Sequence, residues 1–188
     1  DAFTELEAEL EAELEAELEA RRKQYEYYRD ELLTFPAEGG VRWTTLGEIG
    51  ALFSGLRGKS KIDFSNGNTP FATYSDIYRQ PQLHAVTGSV HINADENQTS
   101  LCKGDIIFTA SSENFEDVGL SSVVTEVPEA TCLLNSFCFG LRLHEPESYD
   151  LSYLSHLFRS ESVRRQIRRS ANGVTRINIS KKPFLKTK

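Results

Sequence analysis

The chain lacks any apolar run near the about 20 residues needed to cross a bilayer, and its acidic start has no hydrophobic stretch of the signal-peptide kind. A cytoplasmic protein without a membrane anchor is the expectation. Cysteine is scarce. Cys102, Cys132 and Cys138 are odd in number and have no metal-ligand spacing, and Cys132 and Cys138 stand in an apolar run that reads as buried, reduced thiols. His84, His91, His144 and His156 are scattered, with no Cys or carboxylate pattern for zinc. Catalytic signatures are missing as well: there is no Gly-x-Ser-x-Gly, no dinucleotide fingerprint and no histidine beside a nucleophile motif. The basic loop Gly55-Leu56-Arg57-Gly58-Lys59-Ser60-Lys61 has glycines, but not the Walker spacing that would cradle a phosphate. No catalytic residue, metal or cofactor is expected.

Glycine and internal proline are also absent from the first 34 residues, and there the chain is most informative. A Glu-Leu-Glu-Ala unit repeats from Glu5 to Ala20 and runs on into Arg21-Arg22-Lys23-Gln24-Tyr25-Glu26-Tyr27-Tyr28-Arg29-Asp30-Glu31-Leu32-Leu33-Thr34-Phe35-Pro36. Glu, Leu and Ala are strong helix formers. A helix from about Phe3 to Thr34 would be on the order of 45 Å long. Leu6, Leu10, Leu14 and Leu18 are four apart, so their stripe drifts by about 40° per step, and one repeat more or less moves the cargo by about 6 Å. From Leu18 the spacing turns heptad-like through Tyr25, Tyr28, Leu32 and Phe35, a seam that calls for a partner helix. The alternative is a solvated helix held by Glu17–Arg21 and Glu19–Lys23 pairs, which would leave that apolar row in water.

Charge is segregated along the chain. Residues 1–38 carry 13 Asp and Glu against 4 Lys and Arg, leaving 15 acids and 17 bases for residues 39–188. From Leu157 to Lys188 there are ten bases and one acid, Glu161. Such a basic end is the electrostatic footprint of a nucleic-acid binder, or else the solvated face of a basic helix.

Removing the helix leaves about 150 residues, enough for one domain with a real core. Residues 1–36 therefore read as a spacer or dimerisation helix and residues 37–188 as one domain, with Pro36 to Gly40 as the linker. Trp43 to Ile49 reads as a short strand and then a turn of helix. Ser65 to Pro70 reads as a tight turn in which Asn and Gly supply positive φ. Ser89–Ile92, Asp105–Thr109, Leu120–Val127 and Cys132–Leu143 read as strands, the last one central, with Ser111–Asn114 a polar loop. Leu151, Leu154, Leu157, Phe158, Val163 and Ile167 have helical spacing. That helix is expected to end at Asn172-Gly173, before a last strand at Ile177–Ser180. The fold class is α+β: a mixed, strand-rich domain behind a long coiled-coil-type helix.

The Arg21 to Phe35 segment, the Trp43…Leu46-Gly47-Glu48-Ile49 opening, Gly104-Asp105-Ile106-Ile107-Phe108 and Asn172-Gly173-Val174-Thr175-Arg176-Ile177-Asn178-Ile179 together resemble the specificity (S) subunit of type I restriction-modification systems. The resemblance covers nearly the whole chain. It implies a DNA-binding, non-catalytic protein in which each target recognition domain reads half of a split double-stranded DNA site and a paired long helix sets the spacing. Methyl transfer and cleavage would belong to methyltransferase (M) and restriction (R) subunits docked on it. The family pattern continues where this chain ends at Lys188, so one helix and one domain are expected to be a distal half, a naturally truncated half-subunit or an excised piece, with self-association through Leu18, Tyr25, Tyr28, Leu32 and Phe35 expected.

A recognition domain needs cations for phosphates and hydrogen-bonding side chains for base edges. Lys59, Lys61, Arg165, Arg168 and Arg169 are the phosphate candidates. Arg57, Asn66, Asn68, Ser112, Asn114, Asn172 and Arg176 are the base-edge candidates, although Asn66 and Asn68 also suit turn geometry and Asn172 a helix C-cap. The competing function is a coiled-coil scaffold that binds protein and has only non-specific DNA affinity.

Overall fold

The computed structural model describes residues 2–36, 39–128 and 131–188, with the side chain of Ala2 excepted. It divides into two compact units, Asp1–Gly39 and Gly40–Lys188. The linker residues Ala37 and Glu38, like Asp1 of the helical segment, lie outside the described residues.

The first unit is the helix α1 (Ala2–Leu32). Uninterrupted helix formers explain its 31 residues. The two ion pairs expected from the sequence form, Glu17–Arg21 at 3.3 Å and Glu19–Lys23 at 2.7 Å, joined by Arg22–Glu26 at 3.2 Å. Leu6, Leu10, Leu14 and Leu18 are between 56% and 71% exposed, and Tyr25, Tyr28 and Leu32 of the seam are exposed too. Among the described residues no helix is long and apolar enough to cross a membrane.

The second unit begins with the short helix α2 (Leu46–Ile49) and the strand β1 (Gly50–Ser54). The sequence reading put a strand at the start of Trp43–Ile49. The helix forms instead at once, because the Glu48 carboxylate accepts from the Thr45 amide (2.7 Å) and hydroxyl (2.8 Å) and closes a capping box. The same Ser/Thr-x-x-acid device starts the 3₁₀ turn Lys61–Phe64 from Ser60 and α3 (Tyr74–Arg79) from Thr73. Between them lies β2 (Thr69–Ala72). The Ser65–Pro70 turn uses no positive φ. Gly67 is needed for proximity, since a Cβ there would come within 2.4 Å of the Ser89 and Val90 backbone.

The remaining elements are β3 (Gly88–Val90), β4 (Ile106–Thr109), β5 (Ser111–Ser112), β6 (Ser121–Val123), β7 (Leu133–Leu134), β8 (Cys138–Leu143), α4 (Leu151–Leu157), α5 (Glu161–Arg168), β9 (Ala171–Asn172), β10 (Ile177–Ile179) and α6 (Lys181–Phe184). Three sheets result: an antiparallel β1-β8-β4-β6, a β3-β2-β7 sheet whose β2–β7 pair is parallel, and a small β5-β10-β9 sheet. Two sequence readings change here. Cys132–Leu143 is two strands in different sheets, split at Asn135-Ser136-Phe137, and its second half, β8, holds one of the two interior positions of the largest sheet. The helix read from Leu151 to Ile167 is two helices, with Ser160 capping the second.

Both faces of the large sheet are buried. Phe108, Phe139, Leu141 and Val123 pack with Leu154, Phe158, Ile167 and Phe184, while Ile107, Val124, Cys132, Leu134 and Cys138 pack with Ala72, Ile77 and Leu83. Alternation along β4 sends Ile106 and Phe108 one way and Ile107 the other. Phe184 joins Phe108 and Phe139 with ring centroids 5.0 Å apart, and the buried phenyl is worth about 1.5–3 kcal/mol relative to exposure. Cys132 and Cys138 are buried free thiols as read, and burial pushes the Cys138 thiol up to about 12.

Candidate nucleic-acid interface

The small sheet β5-β10-β9 gathers several of the base-edge candidates. Asn178 of β10 faces Ser111 on one side and Asn172 on the other, and Ile177 faces Ser112. Asn172 is therefore an exposed strand residue and not a helix C-cap; Arg169 closes α5. Its amide donates to Ser180 Oγ at 2.6 Å. The hairpin between β9 and β10 turns at Gly173, whose φ of +126° brings it against the Arg176 carbonyl, where a Cβ would lie 2.1 Å away. Arg176 rises from this turn. Its Nε donates to Ser111 Oγ at 3.2 Å, and its guanidinium lies 5.3 Å from the centroid of the Phe137 ring.

Ser112 and Asn114 belong to a closed loop. Ser112 Oγ accepts from the Asn114 amide at 3.3 Å, Asn114 Oδ1 accepts from the Asp117 amide at 2.8 Å, and Asn114 Nδ2 donates to the Asp117 carboxylate at 2.6 Å. The loop is held from α5. Arg164 Nη2 donates to the Glu116 carbonyl at 2.6 Å, and Arg168 reaches the Glu116 carboxylate at 3.1 Å and that of Glu161 at 2.5 Å. Arg164 is buried, and burial with Arg168 and Arg159 nearby brings its guanidinium down to about 10. The three α5-region arginines expected to contact phosphates thus differ in their surroundings. Arg165 and Arg169 are exposed and unpaired among the described residues, whereas the Arg168 side chain is 14% exposed and committed to two carboxylates.

The Gly55–Lys61 loop carries the second group. Gln98 clamps the Arg57 backbone, its side-chain oxygen accepting from the amide at 3.2 Å and its nitrogen donating to the carbonyl at 2.9 Å, and the Arg57 side chain stays exposed. Lys59 is not free for phosphate: only 5% of its side chain is exposed and it pairs with Glu96. That hydrogen bond, with help from the Asn93 amide, brings the Glu96 carboxyl down to about 2. Asn68 serves the turn, its side chain accepting from Ile92 N at 2.8 Å and donating to Ile92 O at 3.0 Å. Lys61 and Asn66 are exposed. The two groups adjoin through one segment, because Leu56 N donates to Leu134 O at 2.8 Å and the turn carrying Phe137 starts at Asn135.

Sequence reasoning missed Ser111, Asn178 and Phe137. The polar pair Asn135-Ser136 inside an apolar run was the available signal for a turn, and hence for an exposed Phe137.

A long polar helix followed by an α+β module with three sheets defines a helix-plus-module protein. No family model matches the chain. It is 34% identical over 172 aligned residues to the type I restriction enzyme EcoR124I/EcoR124II specificity subunit of Escherichia coli, covering 87% of this chain and 40% of that one. It shares its fold with a structure concerned with assembly and conformational transition of the type I R-M system, at TM-score 0.50 and 19% identity, over 96% of this chain and 44% of that one. The HsdS subunit from Thermoanaerobacter tengcongensis superposes at TM-score 0.48 and 19% identity, over 95% of this chain and 43% of that one. The chain is similar to type I restriction specificity subunits and spans less than half the length of those it matches.

Proposed function

We propose that the chain reads one half of a split double-stranded DNA site as half of a cytoplasmic type I specificity subunit. The observation that carries this reading is that the similarity to the Escherichia coli subunit runs through 87% of the chain and so takes in helix and domain together. Arg57, Arg176, Asn172 and Ser112 lie in adjoining segments where base edges can be met, and Arg165 and Arg169 offer charge to phosphates. Chemistry is left to M and R subunits docked on the chain. One helix and one domain serve a two-part site when a second copy, or a second half, pairs along Leu18, Tyr25, Tyr28, Leu32 and Phe35.

Purifying the chain with a candidate M subunit and mapping methylated adenines tests the proposal. Methylation at one recurring sequence, preserved in excess competitor DNA, supports it. Binding that is only salt-labile and without sequence preference favours a coiled-coil scaffold instead.

A further inference from the structure

Two segments far apart in sequence converge on Arg176 and hold it. Ser111 Oγ takes the Nε–H, and the guanidinium carbon sits over the Phe137 ring, 5.3 Å from its centroid. Both supports are themselves fixed. Ser111 is buried in β5 and is paired with Asn178. Phe137 is pinned through its backbone, the amide donating to Asn135 Oδ1 at 2.8 Å and the carbonyl accepting from Ala110 N at 3.0 Å. Yet the Phe137 ring is 56% exposed, so core packing does not explain a phenyl at this position.

A guanidinium carries its donors in a rigid plane with two usable edges. Ser111 occupies Nε, which leaves the Nη1/Nη2 edge without a hydrogen-bond partner among the described residues and its direction set. We infer that Phe137 and Ser111 are positioning residues that hold this free edge of Arg176 toward a guanine in the major groove, where O6 and N7 accept side by side in one plane. A flexible arginine loses rotamer freedom when it binds, and one already held by a ring contact and a hydrogen bond loses less. A phosphate presents acceptors in many directions and gains little from a fixed plane. The neighbouring Asn172 and Asn178 supply the amide groups that base edges use.

The inference rests on the DNA-reading proposal, and two measurements on the full chain separate them. In the free protein, the Arg176 Nε–H signal in ¹⁵N NMR should be protected from exchange. Phe137→Leu and Ser111→Ala should remove that protection, and Phe137→Trp should keep it. Equal exchange in all four proteins overturns the positioning roles. In a DNA selection, the wild type should prefer guanine at one position. Phe137→Leu should cut that preference about five- to tenfold, with the salt slope and the other positions unchanged, and Phe137→Trp should restore it. If Phe137→Leu and Arg176→Lys instead weaken all sequences alike and lower the salt slope, Arg176 is a phosphate contact and the inference is overturned. If the wild type shows no base preference anywhere while the NMR result holds, the guanine assignment falls with the DNA-reading proposal and the positioning of Arg176 by Phe137 and Ser111 stands.

Discussion

The ion pair between Arg142 of β8 and Asp105 allows a quantitative test of what holds the large sheet. Arg142 donates through Nε to Asp105 Oδ1 at 2.9 Å and through Nη2 to Oδ2 at 2.7 Å, and it lies 5.0 Å from the centroid of the Phe53 ring. The hydrogen bonds to Asp105 raise the Arg142 pKa. The two partners are unequally buried, the Asp105 side chain being 1% exposed and that of Arg142 40%. Arg142→Ala strands a buried carboxylate whose other bond is from the Cys102 amide at 2.8 Å. Such a loss costs about 3–5 kcal/mol in a fully buried pair, and water reaching the Arg142 side reduces it here to about 2–3 kcal/mol. Asp105→Asn leaves an arginine that water can solvate, so it should cost less, about 1–2 kcal/mol. The double variant should fall short of the sum by at least about 0.5 kcal/mol, because both changes remove one interaction. Urea unfolding followed by Trp43, the sole tryptophan, reports on this domain. The Tm of Arg142→Ala should drop by about 5–10 °C. If Asp105→Asn proves the costlier change, or if the two costs simply add, the unequal-burial argument is wrong.

Asp76 makes stability depend on pH. Burial pushes its carboxyl up, but the amides of Thr87 and Thr73 and their hydroxyls outweigh it and leave the pKa lowered. A depressed folded pKa contributes stability above the unfolded carboxylate pKa, and that stability is lost as pH falls through the folded value. Asp76→Asn should therefore cost about 1–3 kcal/mol at neutral pH, with the difference shrinking in acid in paired unfolding curves. Changing Arg165 and Arg169 to Ala should weaken binding to every DNA sequence and lower the salt slope by about one per lost contact, whereas Arg168→Ala should leave that slope alone. Deleting Glu5 to Ala8 should alter the gap between half-sites by about 6 Å and leave each half-site unchanged, read by methylation mapping.

Local period was the legible part of this sequence. The four-residue repeat and the turn to helical spacing after Asp150 each declare themselves within a window of a dozen residues. The strand positions of β4 and β8 were legible for the same reason, as β-branched and apolar runs. What could not be read was decided by partners distant in sequence. The end of the chain reads as a basic tail with Pro183 in it, yet Phe184 is fully buried because Phe108 and Phe139 surround it. Lys59 and Arg168 read as free cations, and only the fold brings Glu96 and Glu116 to them. Two short helical turns were missed despite a local signal: Ser60-x-x-Asp63 and Thr73-x-x-Asp76 share the capping signature that Thr45-x-x-Glu48 gives the expected helical turn at Leu46–Ile49. The site suffered most, because a readable arginine differs from an ordinary one in what holds it, and Phe137 stands 39 residues before Arg176 in the chain.

The acidic repeat of α1 is poorly designed to stand alone, and this bears on its proposed spacer role. Every Glu from Glu5 to Glu15 has another Glu four residues on, which makes six like-charge pairs on neighbouring turns. At roughly 0.2–0.5 kcal/mol each, these oppose the helix by about 1–3 kcal/mol. From Glu17 onward the sign reverses, with the three ion pairs of Glu17–Arg21, Glu19–Lys23 and Arg22–Glu26. Salt should act oppositely on the two halves. In 1 M salt the screening length is about 3 Å, so repulsion in the repeat fades together with attraction in the basic half. Amide protection of residues 5–16 should then rise while that of residues 17–29 falls, measured by hydrogen exchange on the full chain. Parallel changes in the two halves would mean that charge does not set the stiffness of the helix. If the split appears, a cationic partner lying on the repeat would do what salt does, and the spacer would reach its full stiffness only when the complex is assembled.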